Sequence, residues 1–341
     1  MRETRRRHVL PVLALLAVMS FNLLAIGQNG RLAHEALLLV ASLRQNDPGF
    51  QGRVFIAEPT GARWQAETKV PEPQAKALQA MGAEILPFEN KVFGQSYPYG
   101  NKIEALAALP DEPFLFLDTD TLVLSPLSQI PFDFARPSAS MKREGTWPKI
   151  ELYGPSYAEI WGSLYDRFGL DMAPTLDLSQ PQDYWQRHLY FNAGWFFHQS
   201  PRAFGERFLT WAQAIKAQPP EPLILQELDP WLDQVTLPLV IHSFGGGRPG
   251  PELAAMDTTA TCHYRAIPLL YAKESDRAVE VLESLFEDKA LRQLVKEYEP
   301  YRRLVLQRHG RKARALFDQN DLPAREQVIR NTLKREGYWL R

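Results

Sequence analysis

An α/β fold, with a mostly parallel central sheet flanked by helices and a helical C-terminal extension, is what the sequence predicts, on three observations. Strand-like apolar runs alternate with helix-like amphipathic runs from residue 21 onward, the pattern of parallel strands joined by crossover helices. The stretch Pro113-Phe-Leu-Phe-Leu-Asp118-Thr-Asp120 shows no polar alternation between Phe114 and Leu117, as expected of a strand covered on both faces. It ends abruptly in two carboxylates spaced i, i+2, and parallel sheets present their ligands beyond the carboxyl ends of the strands.

Taken in order, Phe21 to Ile26 reads as the first strand, Gly27 to Gly30 as a tight turn and Leu32 to Arg44 as a helix. Asp47-Pro-Gly separates that helix from a second strand, Arg53 to Ala57. A helix over Pro73 to Met81 precedes a strand at Ala83 to Pro87, and a helix over Asn101 to Leu109 leads into the Asp118 strand. Between residues 137 and 182 the pattern loosens into Pro, Gly and aromatic residues, an insertion expected to face a second substrate, with one helix near Tyr157 to Phe168. Tyr190 to Phe197 returns to strand composition, broken at Asn192 to Gly194, and Pro201 to Ala217 reads as a helix. Asp229 is a good N-cap followed by Pro230, so Asp229 to Val235 is predicted as a short helix. Leu239 to Phe244 is expected to be another strand, and Cys262 to Arg265 a short strand or loop. Beyond Lys273 the chain turns helical and polar, and after Pro300 its bases outnumber its acids.

The organisation expected from this pattern is a leader or short anchor at 1–18, a sheet domain at 19–272 and a basic helical extension at 273–341. The leader, with four arginines before an apolar run, resembles a signal peptide or anchor; we expect a non-structural extension because the run passes without a spacer into the first core strand. Hydrophobic content of 45% and eight Trp in 341 residues predict a packed globular protein and exclude disorder. The net charge of −1 gives no footprint for nucleic acid. Cys262 is the single cysteine, so no intramolecular disulfide is available and a cytoplasmic location is expected, with membrane association through residues 8–26 as the alternative. The basic C-terminal helices offer a peripheral contact to anionic lipid or a partner, although a solvated surface is the commoner explanation of such a tail.

In an extended segment residues two apart project to one side, so Asp118 and Asp120 are able to converge on one hard divalent cation carrying a phosphate; the competing reading is a solvated turn. Trp147, Lys149, Tyr153, Trp161, Trp185 and Trp195 are either a sugar-stacking surface or core.

The ordered set Phe-Leu-Asp-Thr-Asp (116–120), Tyr-Phe-Asn-Ala-Gly (190–194), Leu-Asp-Gln (232–234) and Cys-His-Tyr (262–264) resembles nucleotide-sugar glycosyltransferases of the GT-A fold, most closely family eight, over about residues 20–270. The resemblance implies a retaining, metal-dependent transferase that moves a sugar from a nucleotide-sugar donor, a UDP-sugar first, to a saccharide or other hydroxyl acceptor. It implies that Asp118, Asp120 and His263 hold Mn2+ or Mg2+. Gly27 and Gln28 would receive the nucleotide, Lys102 and Thr119 would meet the donor, and Asn192, Ala193 and Gly194 would lie against the donor sugar. Asp233 and Gln234 would sit beneath that sugar. Arg265 stands where the family has a lysine for the departing diphosphate, and the family's glycine and Pro-Trp pair are missing after His263. His242, among Val240, Ile241 and Phe244, reads as a packed strand histidine.

Two alternatives stand beside this. Asp118-Thr-Asp120-Thr121 also matches the nucleophile motif of haloacid-dehalogenase-type phosphatases, with Asp118 as the nucleophile and Asp229 and Asp233 as a distal metal pair, but that motif belongs on a first strand. A degenerate transferase that binds a nucleotide-sugar or glycan without turnover is the other.

Overall fold

The computed structural model describes residues 20–142 and 145–340. The leader expected at 1–18 lies outside the described residues. Among those described, no helix is long and apolar enough to cross a membrane.

The first half builds the sheet: β1 (Asn22–Ile26), α1 (Arg31–Asn46), β2 (Val54–Thr60), α2 (Glu72–Ala80), β3 (Ala83–Glu89), a short α3 (Asn101–Glu104) continued by a 3-10 turn, and β4 (Phe114–Leu117). β1 pairs in parallel with β2 and β4, and β2 with β3. Phe114 to Leu117 are fully buried, because β4 lies inside the sheet with helices on either side. The chain then leaves the main sheet as β5 (Thr121–Val123), returns as the two-residue β6 (Ala139–Ser140), and passes through α4 (Tyr157–Arg167) to β7 (Asn192–His198). β7 runs antiparallel to β4 and β6, giving one six-stranded sheet of order β3-β2-β1-β4-β7-β6. The mostly parallel, helix-flanked sheet predicted from the sequence is thus the one observed. Ser156 starts α4 with a reciprocal capping box to Glu159, and Ser200 with Pro201 starts α5 (Pro201–Ala217).

Several expectations are corrected here. Leu239 to Phe244 is not a strand, and the short helix predicted over Asp229 to Val235 neither starts nor stops where expected: α6 (Leu232–Ser243) begins after Trp231, which stands at the N-cap in place of Asp229, and runs on through Pro238 to take in Leu239 to Ser243. Its residues from Val235 to Ile241 are all buried, and a run apolar on every side has no periodicity to separate buried helix from buried strand. His242 therefore sits in the last turn of a helix, its ring 5.7 Å from that of Tyr165. The break read at Asn192 to Gly194 is instead the start of β7.

β8 (Thr261–His263) pairs antiparallel with β5 as a separate two-stranded sheet, placing Thr121 opposite His263. The remaining chain is α7 (Ile267–Lys273), α8 (Asp276–Leu285), α9 (Lys289–Val295), α10 (Glu299–Tyr301) with a π-turn to Leu306, α11 (His309–Arg314) and α12 (Glu326–Arg335). The tail is helical as expected but not simply polar: Val279, Leu282, Leu291, Val295 and Leu304 share one core with α1, β5 and one face of the sheet. Ile329 and Leu333 of α12 close a smaller cluster with Leu269 and Ala272 of α7. Several tail bases are spent in ion pairs, among them Arg311 with Glu283 and Arg314 with Asp276.

Candidate active site

At the carboxyl end of β4 the chain bends, and this bend builds the site. The Asp118 N–H donates to the Gly194 carbonyl of β7 at 2.8 Å, while the Asp120 carbonyl accepts from the Tyr264 N–H at 3.0 Å. Asp118 is thereby tied to the main sheet and Asp120 to the small one. The carboxylates converge across a bend between β4 and β5, and not along one extended strand as the sequence reading assumed. Thr119 between them is buried, its hydroxyl donating to the Ile26 carbonyl at 2.7 Å, so its side chain joins the ends of β4 and β1.

His263 arrives through the β5–β8 pairing. Its Nε2 stands 3.1 Å from Asp120 Oδ1 and 3.7 Å from Asp118 Oδ2. One ligand atom from each of Asp118, Asp120 and His263 lies within 4.8 Å of the others. Gly194 makes the room: a Cβ there would fall 2.4 Å from His263 Nδ1. Two carboxylate oxygens and an imidazole nitrogen at these separations fit a divalent cation of the Mn2+ or Mg2+ kind, with the imidazole favouring Mn2+.

Lys102, from α3, is the buried counter-charge. Its ammonium lies 2.9 Å from Asp118 Oδ1 and 3.5 Å from Asp233 Oδ2, and donates to the Ala193 carbonyl at 3.1 Å. The solvated helix surface that was the alternative for Lys102 does not apply, since it is 7% exposed. Asp233, on the first turn of α6, is 1% exposed and accepts at Oδ1 from the Tyr97 hydroxyl at 2.8 Å. Gln234 beside it accepts at Oε1 from the Tyr190 hydroxyl at 2.8 Å. Asn192 donates from its amide nitrogen to the Lys142 carbonyl at 2.9 Å, and its amide oxygen has no hydrogen-bond partner among the described residues.

Burial disfavours charge throughout this cluster, yet the partners outweigh it in most places. Asp120 feels burial pushing it up, but the His263 charge and hydrogen bond, then Arg31 and Lys102, hold its carboxyl down at about 2. The His263 imidazole goes the other way: burial lowers it, and Asp120 followed by Asp118 raise it more. Lys102 is likewise lowered by burial and raised on balance by Asp118 and Asp233. Asp233 is the exception, raised because burial exceeds the help of Lys102 and the Tyr97 hydroxyl.

These side chains line one cleft of about 370 Å³, large enough for a small ligand. The cleft takes in Lys102, Asp118, Asp120, Asn192, Ala193, Asp233, Gln234, His263 and Arg265 of the residues singled out from sequence. Gly27, Gln28, Thr119 and Gly194 are not on its lining. Gly27 donates its N–H to the Ala57 carbonyl, and its missing side chain leaves space for Ile56. Of the proposed stacking aromatics, Trp147, Trp161 and Trp195 are core, whereas Tyr153 is exposed.

Residues 23–245 match the Rhodobacterales glycosyltransferase domain, well over half of the chain. The chain belongs to that family. This glycosyltransferase matches no curated protein in sequence. Among solved structures, the galactosyltransferase LgtC in complex with donor and acceptor sugar analogues aligns over 79% of this chain and 96% of its own, at 14% identity and a TM-score of 0.46. The bifunctional WbbM aligns over 84% of this chain and 52% of its own, at 13% identity and a TM-score of 0.45. GlyE of Streptococcus pneumoniae TIGR4 aligns over 79% and 52%, at 11% and 0.38. Membership of a glycosyltransferase family decides against the phosphatase, and Asp233 is committed to Lys102 and Tyr97 in any case.

Sequence reasoning missed several groups on or behind the cleft of this glycosyltransferase. Arg31, one residue past the first βα turn, lies 3.8 Å from Asp120 Oδ2; its place at a strand's carboxyl end was a signal that went unused. Tyr97 and Tyr190 hold Asp233 and Gln234 from afar in sequence. Glu326 and Arg330 of α12 also line the cleft, and nothing linear distinguishes them from other tail charges.

Proposed function

We propose that this protein is a metal-dependent GT-A glycosyltransferase, similar to family eight, that moves a sugar from a nucleotide-sugar donor, a UDP-sugar first among the candidates, to a hydroxyl acceptor with retention. The observation that carries the reading is the convergence of Asp118, Asp120 and His263, from two separate sheets, on one point of a cleft.

In this reading Asp118, Asp120 and His263 hold Mn2+ or Mg2+. When bound, the ion neutralises the diphosphate as it leaves. Lys102 fixes Asp118 in place and carries its charge compensation into the floor of the cleft. Gly27 and Gln28, at the end of β1, receive the nucleotide, with the Thr119 hydroxyl keeping that strand end against the site. Asn192 offers its amide oxygen to a donor-sugar hydroxyl, and Ala193 and Gly194 allow close approach. Asp233, with both oxygens already engaged, is a support beneath the sugar, while Tyr190 orients the Gln234 amide toward the anomeric centre's developing positive charge. Arg265 takes up negative charge on the leaving group, in place of the family's lysine. The acceptor enters beside residues 137–182, since Gly145 of that segment lines the cleft. The sheet domain is proposed to end near residue 272, with the following helices as an extension packed on it.

Asp120→Ala tests this directly. Titration of UDP-sugars with and without Mn2+ should show donor binding that depends on Mn2+ in the wild type and is lost in the variant, with the circular dichroism spectrum unchanged. Donor binding indifferent to both metal and Asp120 would remove the metal assignment. Release of UDP on incubation separates a working enzyme from a degenerate binding protein.

A further inference from the structure

The loop that follows α6 lies on two cavities that share no lining residue with the cleft of the proposed donor site. The larger, about 770 Å³, extends from that loop to residues 174–178. The smaller, about 250 Å³, extends toward residues 131–138. α6 carries Asp233 into the donor cleft at its first turn and ends at Ser243, ten residues on, so the start of the loop is ~15 Å along the helix axis from Asp233. Gly245, Gly246 and Gly247 line the larger cavity, but their N–H groups are already engaged by the carbonyls of His242, Ile241 and Pro137 at 2.9, 3.0 and 3.2 Å. A charged ligand here is therefore met by side chains and not by the glycine amides.

Arg136 and Arg248 lie on both cavities. Arg248 Nη2 donates to the Gln186 and Arg187 carbonyls at 3.2 and 3.0 Å, which fixes the plane of the guanidinium. Those carbonyls are its polar partners among the described residues, and no carboxylate is among them. Nη1 is buried with no hydrogen-bond partner there. Burial lowers the pKa of this arginine against the pull of Asp177 and Tyr165, so its charge is incompletely compensated. A buried charged donor without an acceptor costs free energy that an incoming anion recovers. Asp177, the acid of the larger cavity, is held in its own turn, its Oδ1 accepting from the Ser179 N–H and hydroxyl at 3.0 and 2.6 Å. Two arginines against one aspartate, with His242 counted neutral, leave that lining one positive charge in excess. The rest of the wall is largely aliphatic, from Pro174, Leu176, Leu178 and Leu189, and Leu178 is 73% exposed. Aliphatic walls, a few hydrogen-bonding groups and one surplus cation suit a ligand with C–H faces, hydroxyls and a single negative charge.

We propose that the larger cavity is a second saccharide site, which takes a sugar bearing one carboxylate, a uronic acid residue, with the carboxylate on Arg248 and Arg136 and the ring against Leu176 and Leu178. A guanidinium fork matches a carboxylate with two parallel N–H bonds, which a neutral hydroxyl cannot replace. The proposal rests on membership of a glycosyltransferase family and is independent of the metal assignment. Such a site anchors an acidic glycan to the enzyme at a point remote from the donor cleft.

Ligand-observed NMR titration of the full chain with D-glucuronate, D-glucose and inorganic phosphate tests it. Glucuronate should bind, and glucose, which lacks the charge, and phosphate, which lacks the ring, should each bind at least 10-fold more weakly. Arg248→Met should weaken glucuronate about 10-fold, or ~1.4 kcal/mol. Arg136 is exposed and its side chain makes no hydrogen bond or ion pair among the described residues, so Arg136→Gln should fold as the wild type does. It should weaken glucuronate about fivefold, and it decides the matter should the Arg248 variant fail to fold. A wild type that does not bind glucuronate, or binds it no better than glucose or phosphate, overturns the proposal. Glucuronate affinity within twofold of wild type in the Arg136→Gln protein places the binding elsewhere and overturns it as well.

Discussion

Gly194→Ala is a one-methyl test of the proposed metal centre. The position lies in β7, where any residue adopts the backbone, so the added atom acts by contact alone. Its Cβ would stand 2.4 Å from His263 Nδ1, 2.8 Å from Cε1 and 3.2 Å from Asn192 Oδ1. That is about 1 Å inside ordinary van der Waals contact with a buried ring. Because Gly194 also accepts the Asp118 N–H, β7 is not free to recede, and the imidazole must move. A displacement of about 1 Å takes Nε2 out of register with Asp120, now 3.1 Å away. We expect Mn2+ affinity to fall ~10–100-fold, the scale seen when a ligand's orientation is disturbed. The overpacking itself should cost ~1–3 kcal/mol of stability. Gly27→Ala is the control: its Cβ would meet Ile56 Cγ2 at 2.2 Å, so it should destabilise comparably and leave metal affinity alone. Mn2+ titration by calorimetry, with thermal melts of both variants, reads both quantities. A Gly194→Ala protein that binds Mn2+ within twofold of wild type would refute the idea that His263 is a ligand.

Two further outcomes follow from buried charge and buried imidazole. Lys102→Met leaves Asp233 without its cationic partner in a 1% exposed position, and denaturant unfolding should show a loss of ~3–5 kcal/mol; a loss below ~1 kcal/mol would mean that Asp233 is not charged in the fold. His188 is buried, neither ring nitrogen has a hydrogen-bond partner among the described residues, and burial, Arg187 and Arg248 lower it to about 4. Between that value and its ordinary one near 6.5 the unfolded chain binds a proton that the folded chain refuses, so its contribution to stability is complete above about pH 6.5 and is lost as pH falls toward 4. His188→Phe should flatten the fall of melting temperature across this window, and parallel wild-type and variant curves would contradict it.

The order of strands was legible because burial and periodicity act locally. β1, β2, β3 and β4 each carry an apolar run bounded by turn residues, and α5 carries its cap and its Pro in adjacent positions. α6 was misread for a physical reason: with every side from Val235 to Ile241 covered, its sequence lacks the polar face that gives a helix its period. The acidic pair was readable from its strand, but its geometry was not, since the convergence depends on Gly194 and on the β5–β8 ladder. Tyr97, Tyr190 and Glu326 were illegible because what defines each is a partner far away in the chain.

The division of the site between segments has a mechanical consequence. Asp118, Asp120, Asn192 and Asp233 lie within residues 23–245, whereas His263 and Arg265 lie after them. The later group is joined to the earlier one by the three-residue ladder of β5 and β8 and by the Asp120–Tyr264 hydrogen bond. So short a ladder is weak alone, and its register holds because Leu122 and Cys262, paired across it, are buried in the core that α1 and α8 complete. The C-terminal helices therefore do more than cover apolar surface. By burying β5 and β8 they hold His263 opposite Thr121, one residue from Asp120, and the proposed metal centre depends on their docking.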